Sequence, residues 1–92
     1  MAEITLNLLN IFSLKTGEKK LKYKGKRVKD IVKKFVKEYG NELDDKWLGR
    51  WNKLSKDILI LLNGKNVEEL KGYKTKLSEG DELYFSVPLS GG

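Results

Sequence analysis

The spacing of apolar residues changes at Gly25, and this change limits the folds open to the chain. Before Gly25, Leu21 and Tyr23 alternate with lysines, which is the two-residue period of a strand. After Gly25, apolar residues recur at intervals of three and four, as on one face of a helix: Val28, Ile31, Val32, Phe35 and Tyr39. Gly40 stands where a left-handed cap typically ends such a helix. The chain is therefore predicted to pass from a strand into a helix.

A second strand is predicted on the amino-terminal side of the lysine-rich strand. From Ile4 to Phe12 the alternation is imperfect, but Ile4, Leu6 and Leu8 share one side. The sequence Lys15-Thr16-Gly17-Glu18 between the two strands is typical of a turn. The first two strands are therefore expected to form a hairpin.

The region after the first helix contains a second helical pattern and then an apolar run. Four residues have helical spacing of four, four and three and predict a shorter helix: Leu43, Trp47, Trp51 and Leu54. The uninterrupted apolar segment from Ile58 to Leu62 indicates a central strand. Asn63-Gly64 is a strong hairpin signal that leads into a brief strand over residues 65–67.

The last strand is predicted over residues 82–87, with Leu83, Phe85 and Val87 on one face. Pro88 ends it, because proline cannot donate a hydrogen bond to a sheet, and residues 88–92 are expected to form a flexible tail. The order of elements predicts an α+β domain in which one main helix crosses one face of a mixed sheet. With 92 residues, the chain is expected to be a single domain over residues 1–92.

The residue types that are missing exclude several kinds of chemistry. The chain has no cysteine and no histidine, which argues against zinc sites, thiol catalysis and histidine general-base catalysis. The longest apolar run has five residues, far fewer than the roughly 20 needed to cross a bilayer. No signal-peptide pattern is visible, and we expect a cytoplasmic protein with no membrane association.

Nearly all of the net charge of +6 comes from residues 15–30. Within them, Lys20, Lys22 and Lys24 are expected to face water and protect the strand from edge pairing. The same row could dock an acidic partner. Nucleic-acid binding is a further alternative, although Tyr23 should point to the opposite face and no known nucleic-acid motif is present.

Other candidate residues are interpreted as structural. Trp47 and Trp51 are expected to pack in the core, and either becomes an interface anchor if it is exposed. The acidic pairs Asp44-Asp45 and Glu68-Glu69 do not converge on one point, so no metal site is predicted. The glycine-containing turns do not match a phosphate-binding loop, so we expect this chain to bind no cofactor and any ATP to be bound by a partner.

The two glycines that close the sequence, Gly91-Gly92, are suited to chemistry on a carboxylate. Without a Cβ atom they can enter a narrow channel of a partner enzyme. A terminal carboxylate is ionised at neutral pH, since its pKa is near 3.5. Its oxygen could attack the α-phosphate of ATP and form an acyl adenylate, which a sulfur nucleophile or an amine then captures.

Three segments of the second half of the chain are distinctive: Leu61-Leu62-Asn63-Gly64-Lys65, Leu77-Ser78-Glu79-Gly80-Asp81-Glu82-Leu83 and Val87-Pro88-Leu89-Ser90-Gly91-Gly92. Together they resemble the MoaD/ThiS-like family of ubiquitin-like sulfur carriers, which includes the small subunit of molybdopterin synthase and small archaeal modifier proteins. The resemblance implies a ubiquitin-like β-grasp fold with four to five strands. It also implies ATP-dependent adenylation of Gly92 by an activating enzyme and its conversion to a thiocarboxylate.

The expected function is therefore that of a non-catalytic sulfur carrier in molybdopterin (molybdenum or tungsten cofactor) biosynthesis, whose tail inserts into the larger synthase subunit. The alternative is a protein modifier linked through Gly92 to target lysines. A second alternative is a β-grasp domain that binds nucleic acid through its basic segment. The expected tail-threading residues are Pro88, Leu89, Ser90 and Gly91, and the expected partner-docking residues are Tyr84, Phe85 and Val87.

Overall fold

Five strands form one mixed sheet in the computed structural model, which describes residues 1–88. The strands are β1 (Ala2–Leu8), β2 (Lys20–Gly25), β3 (Leu59–Leu62), β4 (Lys65–Asn66) and β5 (Glu82–Ser86). Their order in the sheet is β2-β1-β5-β3-β4. β1 and β5 are parallel, and the other neighbouring pairs are antiparallel. The predicted α+β architecture with a mixed sheet and one main helix is confirmed.

The main helix, α2 (Val28–Tyr39), covers one face of this sheet, and a short helix, α1 (Ile11–Thr16), precedes β2. The Asp30 carboxylate fixes the start of α2, because it accepts hydrogen bonds from the backbone N–H groups of Lys26 and Arg27, both at 2.9 Å. Four apolar side chains of the predicted stripe are fully buried: Val28, Ile31, Val32 and Phe35.

The left-handed cap expected at Gly40 is absent. Its φ of −55° is right-handed, and its N–H still bonds to the Val36 carbonyl. The helical hydrogen bonding thus continues through this glycine, and the chain runs on into a 3-10 turn, Gly40–Glu42.

The pairing of β1 with β2 is confirmed, but their connection differs from the predicted one. The first strand, predicted from Ile4 to Phe12, ends at Leu8, and residues 11–16 form α1 in place of the end of that strand and the expected turn. Phe12 explains the difference, because a helical turn places this side chain fully inside the core. Gly17 then ends α1 with a φ of 75°, and its N–H bonds to the Ser13 carbonyl at 2.9 Å.

The helix predicted over residues 43–54 is also absent. A 3-10 turn, Asp45–Trp47, is followed by an antiparallel bridge between Leu48 and Leu54. Leu43 and Leu54 are nevertheless buried. Their spacing identified core residues correctly, but two separate turns, and not a helix, bring them inside.

The second half of the sheet follows the sequence closely. Asn63 and Gly64 both have positive φ, as the predicted turn between β3 and β4 requires. β4 ends at Asn66, because the buried Val67 begins a 3-10 turn, Val67–Glu69. β3, the strand predicted to be central, has a partner strand on each side, but the middle strand of the five is β5. A last 3-10 turn, Gly72–Lys74, precedes β5.

Three phenylalanines hold α1, α2 and β5 together. The ring centroids of Phe12, Phe35 and Phe85 lie 5.3 to 6.0 Å apart in edge-to-face arrangements. Such pairs add about 0.5–1.5 kcal/mol each beyond the burial of their area. The central strand that leads to the carboxyl end is therefore firmly anchored. No helix in residues 1–88 has the length and apolarity to span a bilayer.

Candidate functional site at the end of the central strand

The carboxyl-terminal segment follows the central strand of the sheet, β5. β5 pairs with β1 on one side and β3 on the other, and the Phe85 carbonyl accepts a further bond from the Leu9 N–H at 3.1 Å. Val87 packs partly against the core, and Pro88 is exposed. Residues 89–92, which carry the expected attachment point Gly92 and most of the expected tail, lie outside the described residues. The fold thus fixes where this segment begins.

A groove of about 620 Å³ lies beside Pro88. Its apolar lining includes Ile58, Ile60 and Val67, and Tyr73 and Pro88 also contribute. We call this surface the Pro88 groove. Polar and charged side chains also line it: Lys53, Ser55, Lys56, Asp57, Asn66 and Glu68. The lining is therefore mixed, and it presents apolar surface together with charged and hydrogen-bonding groups.

The three expected docking residues have different environments. Phe85 has no exposed surface, so the prediction that it contacts a partner is wrong; its inward position on β5 places it in the aromatic cluster. Tyr84 points to the opposite face of the sheet and lines a shallow pocket of about 360 Å³ with Asn7, Lys19 and Lys20. Val87 is half-buried next to Pro88. Of the three, Tyr84 and Val87 remain available to a partner.

The two tryptophans, expected in the core, have opposite environments. Trp47 packs partly against the core, and the Lys46 ammonium lies 5.0 Å from the centre of its ring. Trp51 is 85% exposed, so its expected place in the core is wrong. The helical spacing predicts the same buried position for both tryptophans. Gly49 and Asn52, which are typical of turns, lie within the predicted helix and are a sequence signal against it.

Trp51 lies at the tip of a small hairpin, residues 48–54, which we call the Trp51 hairpin. The Gly49 N–H donates to the Lys53 carbonyl at 2.8 Å, and the Lys53 N–H donates to the Arg50 carbonyl at 3.1 Å. The two central residues, Trp51 and Asn52, have φ values of 59° and 57°, as in type I′ turns. This conformation costs a residue other than glycine or asparagine about 1–2 kcal/mol, so the tryptophan is held in a strained backbone.

The base of the Trp51 hairpin is attached to the Pro88 groove. The Leu54 N–H donates to the Tyr73 hydroxyl at 3.1 Å, and the Lys53 ammonium lies 5.4 Å from the centre of the Tyr73 ring. Burial raises the pKa of the Tyr73 hydroxyl, although this hydrogen bond partly opposes the effect. Lys53, Leu54 and Ser55 line the same groove as Pro88. The hairpin and the start of the tail therefore border one continuous surface.

The lysine row on β2 is exposed, as predicted, and Tyr23 faces the other way. The Tyr23 hydroxyl donates to the Glu38 carboxylate at 2.8 Å and so links β2 to α2. Burial and this hydrogen bond raise the pKa of Tyr23. Tyr23 is thus engaged with the helix and is not placed to stack on a base beside the lysines. Among residues 1–88, no cluster of three or more acidic groups could hold a metal ion.

Comparisons with known proteins agree with this geometry. Residues 10–92 match the model of the ThiS family. The solution structure of small archaeal modifier protein 1 from Methanosarcina acetivorans is similar with a TM-score of 0.85 and 28% identity, covering 100% of this chain and 98% of that chain. A comparison with curated protein sequences gives no significant match.

Two further solved structures share the fold at lower identity. A chain of the BexX/CysO complex from Amycolatopsis orientalis has a TM-score of 0.77 and 24% identity, covering 97% of this chain and 99% of that chain. The putative molybdopterin converting factor subunit 1 from Pyrococcus furiosus has a TM-score of 0.73 and 18% identity, with 97% and 100% covered. The β-grasp fold, the anchored central strand and the match over residues 10–92 together show that this chain belongs to the ThiS family of small, non-catalytic carrier proteins.

Proposed function

We propose that this protein carries sulfur on the carboxylate of Gly92 for molybdopterin synthesis. In this proposal a separate enzyme adenylates Gly92, a sulfur donor converts it to a thiocarboxylate, and the tail then enters the larger synthase subunit. The observation that carries the proposal is the family match over residues 10–92, which includes Gly91-Gly92. The exposed position of Pro88, two residues after the end of β5, supports it, because the described part of the chain ends at the surface.

The proposed chemistry requires no catalytic group from this chain. The Gly92 carboxylate oxygen attacks the α-phosphate of ATP, and pyrophosphate leaves. Hydrosulfide then attacks the acyl carbon, the carbon–sulfur bond forms, AMP leaves, and loss of the proton on sulfur gives the thiocarboxylate. The glycines contribute a narrow approach without a Cβ atom, and the partner enzyme supplies the ATP site.

Protein conjugation is a second candidate for the same activated tail. In this reaction a lysine amine attacks the acyl carbon of the adenylate or of a derived thioester, and an isopeptide bond to Gly92 forms. The observation that favours it is the likeness to a small archaeal modifier protein at 28% identity over the whole chain. The two candidates share the activation step and differ in the nucleophile that follows.

Nucleic-acid binding through residues 15–29 is the alternative from another class. The exposed Lys20, Lys22 and Lys24 favour it through their charge. The contact of Tyr23 with Glu38 opposes it, because that aromatic ring is not free to stack on a base. We therefore rank this function below the two that use Gly92.

The proposal is tested by adenylation with the activating enzyme of the source organism. The parent protein should support ATP–pyrophosphate exchange, whereas Gly92→Ala, or a chain with one residue added after Gly92, should lose about 100-fold or more because the carboxylate is misplaced. Leu14→Ala is the matched control, since Leu14 is an exposed side chain on α1. Exchange with Gly92→Ala equal to that of the parent would contradict the proposal.

A second stage separates the candidate functions. The activated protein is offered hydrosulfide with the larger synthase subunit and its pterin precursor, or lysine-bearing target proteins from the source cells. Conversion of the precursor identifies the sulfur carrier, and adducts cleaved to peptides that carry the Gly-Gly remnant on lysine identify the modifier. Neither product, together with strongly salt-dependent RNA binding that survives deletion of Gly91-Gly92, would favour the nucleic-acid function.

A further inference from the structure

We propose that the Trp51 hairpin is a second contact with the enzyme that activates the tail. Trp51 inserts into an apolar pocket on that adenylating enzyme, and acidic side chains around the pocket pair with the cations of the hairpin. This inference rests on the proposed function, because it concerns the enzyme that accepts Gly92. It assigns a docking role to residues far in sequence from the reacting carboxylate.

The exposure and the conformation of Trp51 point to an intermolecular contact. The side chain is 85% exposed, so it contributes little to the core. Its positive φ is unfavourable for tryptophan, whereas asparagine or glycine would suit the turn. Strained residues of this kind concentrate where function requires them. Tryptophan is also enriched among the residues that dominate binding energy at protein interfaces.

The position of the hairpin indicates which protein it contacts. Lys53 and Leu54 of the hairpin and Pro88 at the start of the tail line the same groove. An enzyme that receives the residues after Pro88 must therefore cover this groove or lie beside it. The hydrogen bond from Leu54 to Tyr73 keeps the hairpin in place next to that surface. The hairpin that carries Trp51 at its tip therefore borders the surface on which Pro88 lies.

The charge of this segment indicates the chemistry of the pocket. The Trp51 hairpin, residues 48–54, contains two basic residues, Arg50 and Lys53, and no acidic residue. A matching surface on the enzyme is therefore acidic around an apolar centre. A nucleic acid would also match the positive charge of the hairpin. However, surfaces that bind single-stranded nucleic acid stack successive bases on several aromatic side chains. The nearby Tyr73 ring, in contrast, lies beneath Lys53.

The binding test follows the two indole N–H resonances of ¹⁵N-labelled carrier when unlabelled adenylating enzyme is added. The protein has two tryptophans, and Trp47→Phe assigns the signals. Trp47→Phe removes no hydrogen bond, because the Trp47 Nε1 has no partner among the described residues. We expect the Trp51 resonance to shift or broaden more than that of Trp47. A Trp51 resonance that is unchanged while the enzyme is shown to bind, or one that responds to RNA and not to the enzyme, would overturn the inference.

The kinetic test measures ATP–pyrophosphate exchange as a function of carrier concentration. Trp51→Ala should raise KM about 10- to 30-fold, the effect of losing an interface anchor, and leave kcat within about twofold. Trp51→Phe should recover part of the loss, because it restores an aromatic ring. Leu14→Ala, which removes another exposed apolar side chain, should match the parent.

The two proposals fail in distinguishable ways. If Gly92→Ala blocks activation but Trp51→Ala keeps the parent's KM, the docking role is wrong and the carrier function stands. If the parent itself is not activated, the proposed function fails and the docking role fails with it. Because Trp51 is exposed, its variants should keep the parent's amide spectrum outside the hairpin, which checks that KM changes do not come from unfolding.

Discussion

The aromatic cluster of the core and the Trp51 hairpin use aromatic side chains in opposite ways. Phe12, Phe35 and Phe85 are fully buried, and they join two helices to the central strand. Trp51 is almost fully exposed at the tip of a turn whose backbone does not favour it. The first set stabilises the fold. Trp51 does not stabilise the fold in this way, because its side chain is exposed and its backbone conformation is strained.

This difference indicates how the molecule divides its tasks. The core fixes the strand from which the tail departs, so that the start of the tail has a defined position. The hairpin is held by backbone hydrogen bonds and by the hydrogen bond to Tyr73, and it leaves the Trp51 ring exposed. Substitutions in the two regions should therefore separate effects on folding from effects on binding.

The largest effect is expected from Phe35→Ala, which removes the ring that touches both Phe12 and Phe85. The lost burial and the cavity should lower the free energy of unfolding by about 3–5 kcal/mol. Chemical denaturation followed by circular dichroism measures it. Leu14→Ala, at an exposed site, should stay within about 0.5 kcal/mol of the parent. Equal denaturation midpoints for the two variants would contradict the division between a stabilising aromatic core and a neutral surface.

Gly49→Ala should have the next largest effect, because a Cβ atom at Gly49 would lie 2.9 Å from the Leu54 carbonyl oxygen. The hairpin backbone must then shift, at a cost of about 1–3 kcal/mol. Gly40→Ala is the matched control: Gly40 is right-handed, and its Cβ would meet only Val36, at 3.4 Å. That control should be neutral or slightly stabilising. Denaturation that ranks the two variants in the opposite order would show that the hairpin is not tightly closed.

Trp51→Asn should make the protein more stable by about 1 kcal/mol, because asparagine adopts the left-handed conformation more readily. The same variant should bind the adenylating enzyme more weakly. Thermal unfolding and the KM of carrier activation measure the two properties. A variant that is less stable than the parent would mean that Trp51 serves the fold, and the contrast with the core would be lost.

The smallest effect concerns the pH dependence of stability at the start of α2. Partial burial alone would raise the pKa of Asp30, but the N–H groups of Arg27 and Lys26 and the charges of Lys29 and Lys34 lower it below its ordinary value. The ionised group therefore stabilises the fold above the unfolded-state pKa of about 4, and this contribution is lost as the pH falls through the lowered pKa. Asp30→Asn should cost about 0.3–1 kcal/mol at pH 7.

The difference between parent and Asp30→Asn should shrink in acid. Denaturation at several pH values measures it, and Glu42→Gln provides a comparison, since Glu42 is an exposed carboxylate beyond the end of α2. A difference that stays constant from neutral pH into strong acid would mean that the charge of Asp30 has no part in stabilising α2.

Much of the fold is predictable from the sequence because its strands and main helix bury one face each. The stripe from Val28 to Phe35 and the alternation of Leu83 and Phe85 define their elements directly. α1 is not predictable in this way, since a six-residue helix with Phe12 as its one buried residue has too few turns to show a period.

The Trp51 hairpin escapes prediction for a different reason. Leu43, Trp47 and Leu54 all pack on the core with helical spacing, although separate turns place them there. The spacing selected these three core-packing side chains but not the backbone that brings them inside, and it wrongly included the exposed Trp51. The sequence also predicts a strand end at Pro88 and a tail that carries Gly91-Gly92. It does not show that the hairpin and Pro88 border one groove, because that depends on the three-dimensional arrangement of distant segments.

The most direct measurement of the central claim is the intact mass of the protein isolated from its native cells without a carboxyl-terminal tag, together with a search for larger covalent adducts. We expect a species with one oxygen replaced by sulfur at Gly92, or adducts joined through Gly92 to lysines of other proteins. An unmodified mass without adducts, in cells whose adenylating enzyme is active, would contradict it.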